Sequence, residues 1–180
     1  MGDWHELRVT RALVERGGVF DYGKQFVCVP NVTTFSAWEA DLLVASKAGY
    51  LTEVEVKISK ADWRADKGKT SKFNRLGQPG GRTKFFYYAA PAELARQWEE
   101  IGIPAWAGVI AVEARKAESR AQGYDHFSTV IRPACPRPEH RKLTDKEMAN
   151  LARLGALRIW DLMTRNEALS TPAPQDRSKP

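Results

Sequence analysis

Residues Tyr50–Lys57 read Y-L-T-E-V-E-V-K. Apolar Leu51, Val54 and Val56 are interleaved with polar residues, which predicts a β-strand. Side chains alternate faces along a strand, so Glu53, Glu55 and Lys57 project from the same face. Two carboxylates and an ammonium thus stand in one row. Upstream, Trp38–Ala45 (W-E-A-D-L-L-V-A) predicts a second strand with Asp41 set inside it, and Lys47-Ala48-Gly49 predicts the tight turn between the two. An antiparallel hairpin is expected, bringing Asp41 close to Glu55 or Glu53. The turn type sets the register, which the sequence leaves open.

Outward from the hairpin, the remaining elements follow in order. Asp3–Arg16 predicts a helix, with Asp3 as cap, Glu6 at capping-box spacing and Gly17-Gly18 as its stop. Strand material in Val19–Pro30, chiefly Gln25–Val29, is expected to end at Pro30. Ser59-x-x-Asp62 opens a short helix, and Lys84–Ala90 (K-F-F-Y-Y-A-A) is a buried strand. A helix with Pro91 as its first residue carries Leu94, Trp98 and Ile101 inward and stops at Gly102. Trp106–Val112 and Phe127–Arg132 are strands, separated by a charged surface excursion over Glu113–Asp125. Thr144-x-x-Glu147 is a capping box for a last helix, with Met148, Leu151, Ala152, Gly155, Ile159 and Leu162 at helical spacing on the side facing the body. The order α-β-β-β-α-β-α-β-β-α implies a mixed central sheet flanked by helices, an α/β fold. Residues 1–168 are expected to form a single domain. The Pro- and Ser-rich tail, 169–180, has the composition of a disordered segment.

Composition narrows the class. At 180 residues, 43% hydrophobic and 28% charged, the chain has the balance of a soluble globular domain. No run of apolar residues is long enough to span a membrane, and no signal-peptide core follows the N-terminus, so a cytoplasmic location is expected. Cys28 and Cys135 are not in a C-x-x-C pair, and His5, His126 and His140 lack zinc-site spacing. The net charge of +6 leans toward a polyanionic partner, and its distribution says more than its size. Between Lys67 and Ala92 there is no acid, while Lys67, Lys69, Lys72, Arg75, Arg82 and Lys84 all fall there. Such a stretch suits contact with phosphates.

The row on Tyr50–Lys57 gains chemical meaning from Asp41. Taken alone, E-x-E-x-K fits salt bridges on a solvated strand face. An acid within an apolar strand is costly without a partner. Mg²⁺ (or Mn²⁺ in its place) takes oxygen ligands and keeps several waters, so Asp41, Glu55 and the Val56 backbone carbonyl suffice as protein ligands, while Glu53 on the same face could ligate a second metal or pair with Lys57. Lys57 beside them could orient a water, help deprotonate it, or hold a phosphate oxygen. The expected chemistry is phosphodiester hydrolysis.

Asp41, thirteen intervening residues and then Glu55-Val56-Lys57 resemble the signature of the PD-(D/E)XK nuclease superfamily. Glu6, on a first helix that stops at Gly-Gly, is similar to the acid many members carry ahead of the core sheet. The phrase E-V-K-I-S-K-A-D-W-R-A-D-K (Glu55–Lys67), the F-F-Y-Y-A-A-P strand and the W-A-G-V-I-A-V strand resemble MmcB-like DNA-repair proteins. Ala40-Asp41 stands where the nominal pattern has Pro-Asp, and the glutamine of some members has no assured counterpart. The resemblance implies a restriction-endonuclease-like αβββαβ core, Mg²⁺-dependent DNA cleavage by Asp41, Glu55, Lys57 and Glu6, DNA as partner and dimerisation as in other small nucleases. The alternative it leaves open is an inactive nucleic-acid-binding module on the same fold.

Overall fold

The structure, a computed structural model, describes residues 4–33, 35, 38–65, 76, 81–114, 126–137 and 139–170, the last nine as backbone only. Helix α1 (Glu6–Val14) precedes a three-stranded antiparallel meander, β1 (Val27–Val32), β2 (Ala40–Ala45) and β3 (Leu51–Val56). Helix α2 (Lys60–Ala65) lies on the crossover to β4 (Thr83–Pro91), which pairs parallel to β3. Helices α3 (Ala92–Ala95) and α4 (Trp98–Ile101) lead to β5 (Gly108–Ala114), again parallel. Strand β6 (His126–Arg132) returns antiparallel, and helix α5 (Asp145–Ser170) closes the chain. The six strands lie in sequence order in one mixed sheet. This is the α/β architecture that the order of elements predicts.

Alternation along β3 sorts the core. Val54 and Val56 point to one face, where they pack with Val9, Ala12 and Leu13 of α1 and with Leu42 and Val44 of β2. Leu51 lies on the opposite face, with Leu43, Ala45 and Leu151 of α5. Further along that face, Trp63 of α2 packs on Phe86, Tyr88 and Ala90 of β4. Each face is covered, so the polar residues of β3 are buried rather than solvated: Glu53, Glu55 and Lys57 are at most 5% exposed.

Several local expectations are corrected. The cap of α1 is His5, whose Nδ1 accepts the Arg8 backbone N–H at 3.3 Å, and Glu6 is the first helical residue; Asp3 lies outside the described residues. Strand β1 does not end at Pro30. It runs to Val32, because as an edge strand it can hold a residue with no N–H to donate. The single helix expected after Pro91 is broken. The Gln97 side chain donates to the Glu93 carbonyl at 2.8 Å, the oxygen its own backbone N–H would use in a continuing helix, and that N–H turns to Leu94 instead. Ile159 is 60% exposed rather than packed inward, as α5 runs on past the sheet after Leu151 and Gly155. The Thr144–Glu147 box forms as expected, with the Glu147 N–H on the Thr144 hydroxyl at 3.3 Å and the Thr144 N–H on the Glu147 carboxylate at 2.9 Å. Most of the expected excursion before β6 and the C-terminal tail lie outside the described residues.

Gly108 opens β5 opposite Tyr87, where a Cβ would stand 2.3 Å from the tyrosine ring and 2.8 Å from the Ala134 backbone nitrogen. The backbone atom cannot swing aside as a side chain can. Gly108→Ala should therefore destabilise the fold by about 1–3 kcal/mol, read as a lowered denaturation midpoint in urea.

Candidate active site

Strands β2 and β3 pair from Ala45↔Leu51 to Leu42↔Val54. Beyond that point they part. Ala40 pairs with Val32 of β1, while Glu55 and Val56 pair with Tyr88 and Ala89 of β4. The Asp41 side chain fills the opening, its Oδ2 accepting the Val56 backbone N–H at 2.7 Å. A carboxylate thus takes the place of a ladder bond, and the donor exposed by the parting is satisfied.

Glu55 and Lys57 follow on the buried side of β3. Lys57 Nζ donates to Glu55 Oε1 at 3.0 Å, and the two side chains are 3% and 6% exposed. The Lys57 backbone N–H continues onto β4, donating to the Ala89 carbonyl at 2.9 Å, which fixes where the side chain starts. Asp62 approaches the same ammonium from the first turn of α2, at 3.5 Å. Its other oxygen accepts the Ile58 N–H at 3.3 Å, and its own backbone N–H is capped by the Ser59 hydroxyl at 3.1 Å. The strand end, the capped turn and the helix start thus fold one more carboxylate toward Lys57. From the sequence Asp62 is legible as a capping residue only; its reach to Lys57 depends on the turn at 58–59.

Asp41 is crowded by negative charge. Burial pushes its carboxyl up to about 7, with the Glu55 carboxylate next in weight and Glu6 adding to it. The hydrogen bond from Val56 and the charge of Lys57 pull the other way and do not prevail. The Glu55 and Glu6 charges both bear on Asp41, and Glu6 itself is exposed in the first turn of α1. Glu53 is buried one step nearer the middle of the sheet and accepts a hydrogen bond from Trp38 Nε1 at 2.8 Å. Among the described residues, no three His, Cys, Asp or Glu side chains stand close enough to cage a metal ion by themselves.

The basic residues divide. Lys67, Lys69, Lys72 and Arg75 lie outside the described residues. Arg82 and Lys84 do not flank Glu55 and Lys57. They lie at the amino end of β4, where Thr83 pairs with Leu51. Lys84 precedes Tyr88, the neighbour of Glu55, by four residues, about 13 Å of strand. The difference arises because β4 runs parallel to β3, so the residues that enter it stand at the start of β3 and not at its end. On the carboxyl side, beside Ile58 and Lys60, a cleft of about 820 Å³ opens over the ends of β3, β4 and β5, with Trp4, Pro91, Arg96 and Gln97 also on its walls.

No protein-family model matches the chain. No curated protein matches it either. A solved structure of a protein of unknown function from Silicibacter pomeroyi has a similar fold, with a TM-score of 0.54 and 17% identity over 99% of this chain and 100% of that chain. Likeness at that identity speaks to the fold alone.

The raised Asp41 carboxyl has a consequence for stability. The folded chain keeps the proton to higher pH than the unfolded chain, so the stability it contributes is full below about pH 4 and is lost as pH rises toward 7. Asp41→Asn stays neutral throughout. Without divalent ions, the variant should match the parent near pH 4 and exceed it at pH 8 by on the order of 3 kcal/mol, measured by urea unfolding across that range.

Proposed function

We propose that the chain is a metal-dependent DNA nuclease whose α1–β1–β2–β3–α2–β4 unit is a PD-(D/E)XK-type core. The observation that carries this reading is the Asp41 carboxylate held on the Val56 N–H where β2 and β3 part, beside the buried Glu55–Lys57 pair. The Glu55 charge weighs against ionisation of the buried Asp41 carboxyl, which leaves a local deficit of positive charge. A divalent cation fits that deficit, and Mg²⁺ needs only one or two carboxylates because it keeps its waters. Asp41 and Glu55 would hold it, with the Val56 carbonyl between Glu55 and Lys57 as a third oxygen. When bound, the ion offsets charge building on a scissile phosphate and lowers the pKa of a water.

The chain's own groups do the rest. Lys57 is held from two sides by Glu55 and Asp62, so its ammonium meets a substrate in a fixed place and can orient the attacking water or hold a non-bridging phosphate oxygen. Glu6, exposed in the first turn of α1, would add negative charge that favours the cation. Glu53 is bonded to Trp38 and supports the row from behind. The cleft lined by Ile58, Lys60 and Arg96 would give a nucleic-acid strand a path across the ends of β3–β5.

A second reading, a nucleic-acid-binding module without catalysis on the same fold, draws on the buried pairing of Lys57 with Glu55, in which each charge already has a partner. One set of assays separates the two. Single-stranded, duplex and branched DNA should be cut with Mg²⁺ or Mn²⁺ and not with EDTA. Asp41→Asn and Lys57→Ala should each slow cleavage by at least about 100-fold while DNA binding persists. Binding without any cleavage by the parent protein would favour the second reading, and full activity in both variants would rule out a catalytic role for Asp41 and Lys57.

A further inference from the structure

Arg82 and Lys84 belong to a basic site at the far end of the sheet. The Lys84 ammonium lies 3.6 Å from the centre of the Tyr50 ring, and the Lys142 ammonium lies 5.1 Å from the same centre. The His140 ring meets Tyr50 edge-on at 5.7 Å. Neither lysine has a carboxylate within ion-pair distance among the described residues. Arg82 and Arg141 stand close by, both bonded to Glu147 at 2.5 and 2.7 Å. Four positive charges, Arg82, Lys84, Arg141 and Lys142, thus meet a single negative one in this group.

The backbone builds this cluster. The segment that carries Arg141 and Lys142 is laced across the amino ends of β3 and β4 by three hydrogen bonds: Arg137 N–H to the Lys84 carbonyl at 2.8 Å, Arg141 N–H to Gly81 at 3.0 Å and Leu143 N–H to Gly49 at 2.8 Å. These bonds set Lys142 and Lys84 against Tyr50. Two ammoniums sharing one ring stand at most the sum of their two distances apart, and like charges so close repel. The face of the ring offsets part of that repulsion. An anion placed near both ammoniums would offset the remainder.

We infer that Lys84, Lys142 and Tyr50 form a phosphate-contacting site for a nucleic-acid backbone, about 13 Å of strand from Glu55. The inference does not depend on catalysis, since a site of this kind would serve either reading of the function. Its place on the sheet gives it a separate task from the carboxylates. It anchors a substrate at a distance and so favours strands several nucleotides longer than the piece that fills the carboxyl-side cleft.

The test is the salt dependence of binding. A fluorescein-labelled DNA duplex of about 30 base pairs is titrated with the full chain in EDTA, where no cleavage competes, at several KCl concentrations. With two contacts at about 0.9 each, the slope of log Kd against log salt should fall by about 1.8 in the Lys84→Ala, Lys142→Ala double variant. The Lys84→Arg, Lys142→Arg double variant keeps both charges and should keep the parental slope, which separates lost charge from lost packing. Asp41→Asn should leave the slope loss of the alanine pair in place, so a failed nuclease reading and a failed anchoring site give different results. An unchanged slope in the alanine variant would overturn the site. So would a variant that loses binding of inorganic phosphate, followed by calorimetry, with no change toward the duplex, because the ligand would then be a small anion.

Discussion

The hydrogen bond from the Val56 N–H to the Asp41 carboxylate is the constraint on which the site depends. Two antiparallel strands that separate leave backbone donors to be satisfied, and in this sheet a side chain does so. The bond holds the wedge open and keeps a carboxylate beside Glu55, where ordinary strand pairing would have put backbone. Because the sheet continues through β4 and β5 on the other side of β3, Glu55 and Lys57 are held by firm pairing while Asp41 faces them across the gap. The same arrangement explains the charge imbalance. Burial and neighbouring carboxylates raise Asp41, and the hydrogen bond from Val56 and the charge of Lys57 offset them only in part.

The hairpin and its acids were legible because short-range rules govern them. The turn at Lys47–Gly49, with Gly49 at φ +81°, and the alternation over Leu51–Val56 determine which residues share a face. Asp41 opposite the Glu55 region follows once the turn is tight. The capping signatures at Ser59 and Thr144 are likewise local. What could not be read depends on residues distant in sequence or on competing local bonds. Whether Lys84 stands beside Glu55 or at the opposite end of the sheet is decided by the parallel crossover, not by any pattern near Lys84. Gln97 breaks its helix through one side-chain hydrogen bond, and nothing in Leu94, Trp98 and Ile101 reveals it. The burial of Glu53 and Glu55 comes from α2, α5 and Trp38 covering a face that the sequence alone would allow to be solvated.

The sheet also separates charge along its strands. Carboxylates gather at the carboxyl end of β3, around one lysine. Cations gather at the amino ends of β3 and β4, around one glutamate whose carboxyl is held far below its usual range by Arg141, Thr144 and Arg82. A field of this polarity orients an approaching polyanion before any contact is made.

Pro30 and Asn31 have a meaning beyond the course of β1. The outer edge of a sheet offers unpaired backbone groups on which another molecule's strand can add. In the middle of β1 one residue has no N–H to offer, and the next turns to φ +47°, out of the extended conformation a partner strand would need. Ladder growth along that margin is interrupted at its centre. Two neighbouring residues therefore guard the chain against edge-to-edge aggregation, a safeguard β6 on the opposite margin does not share.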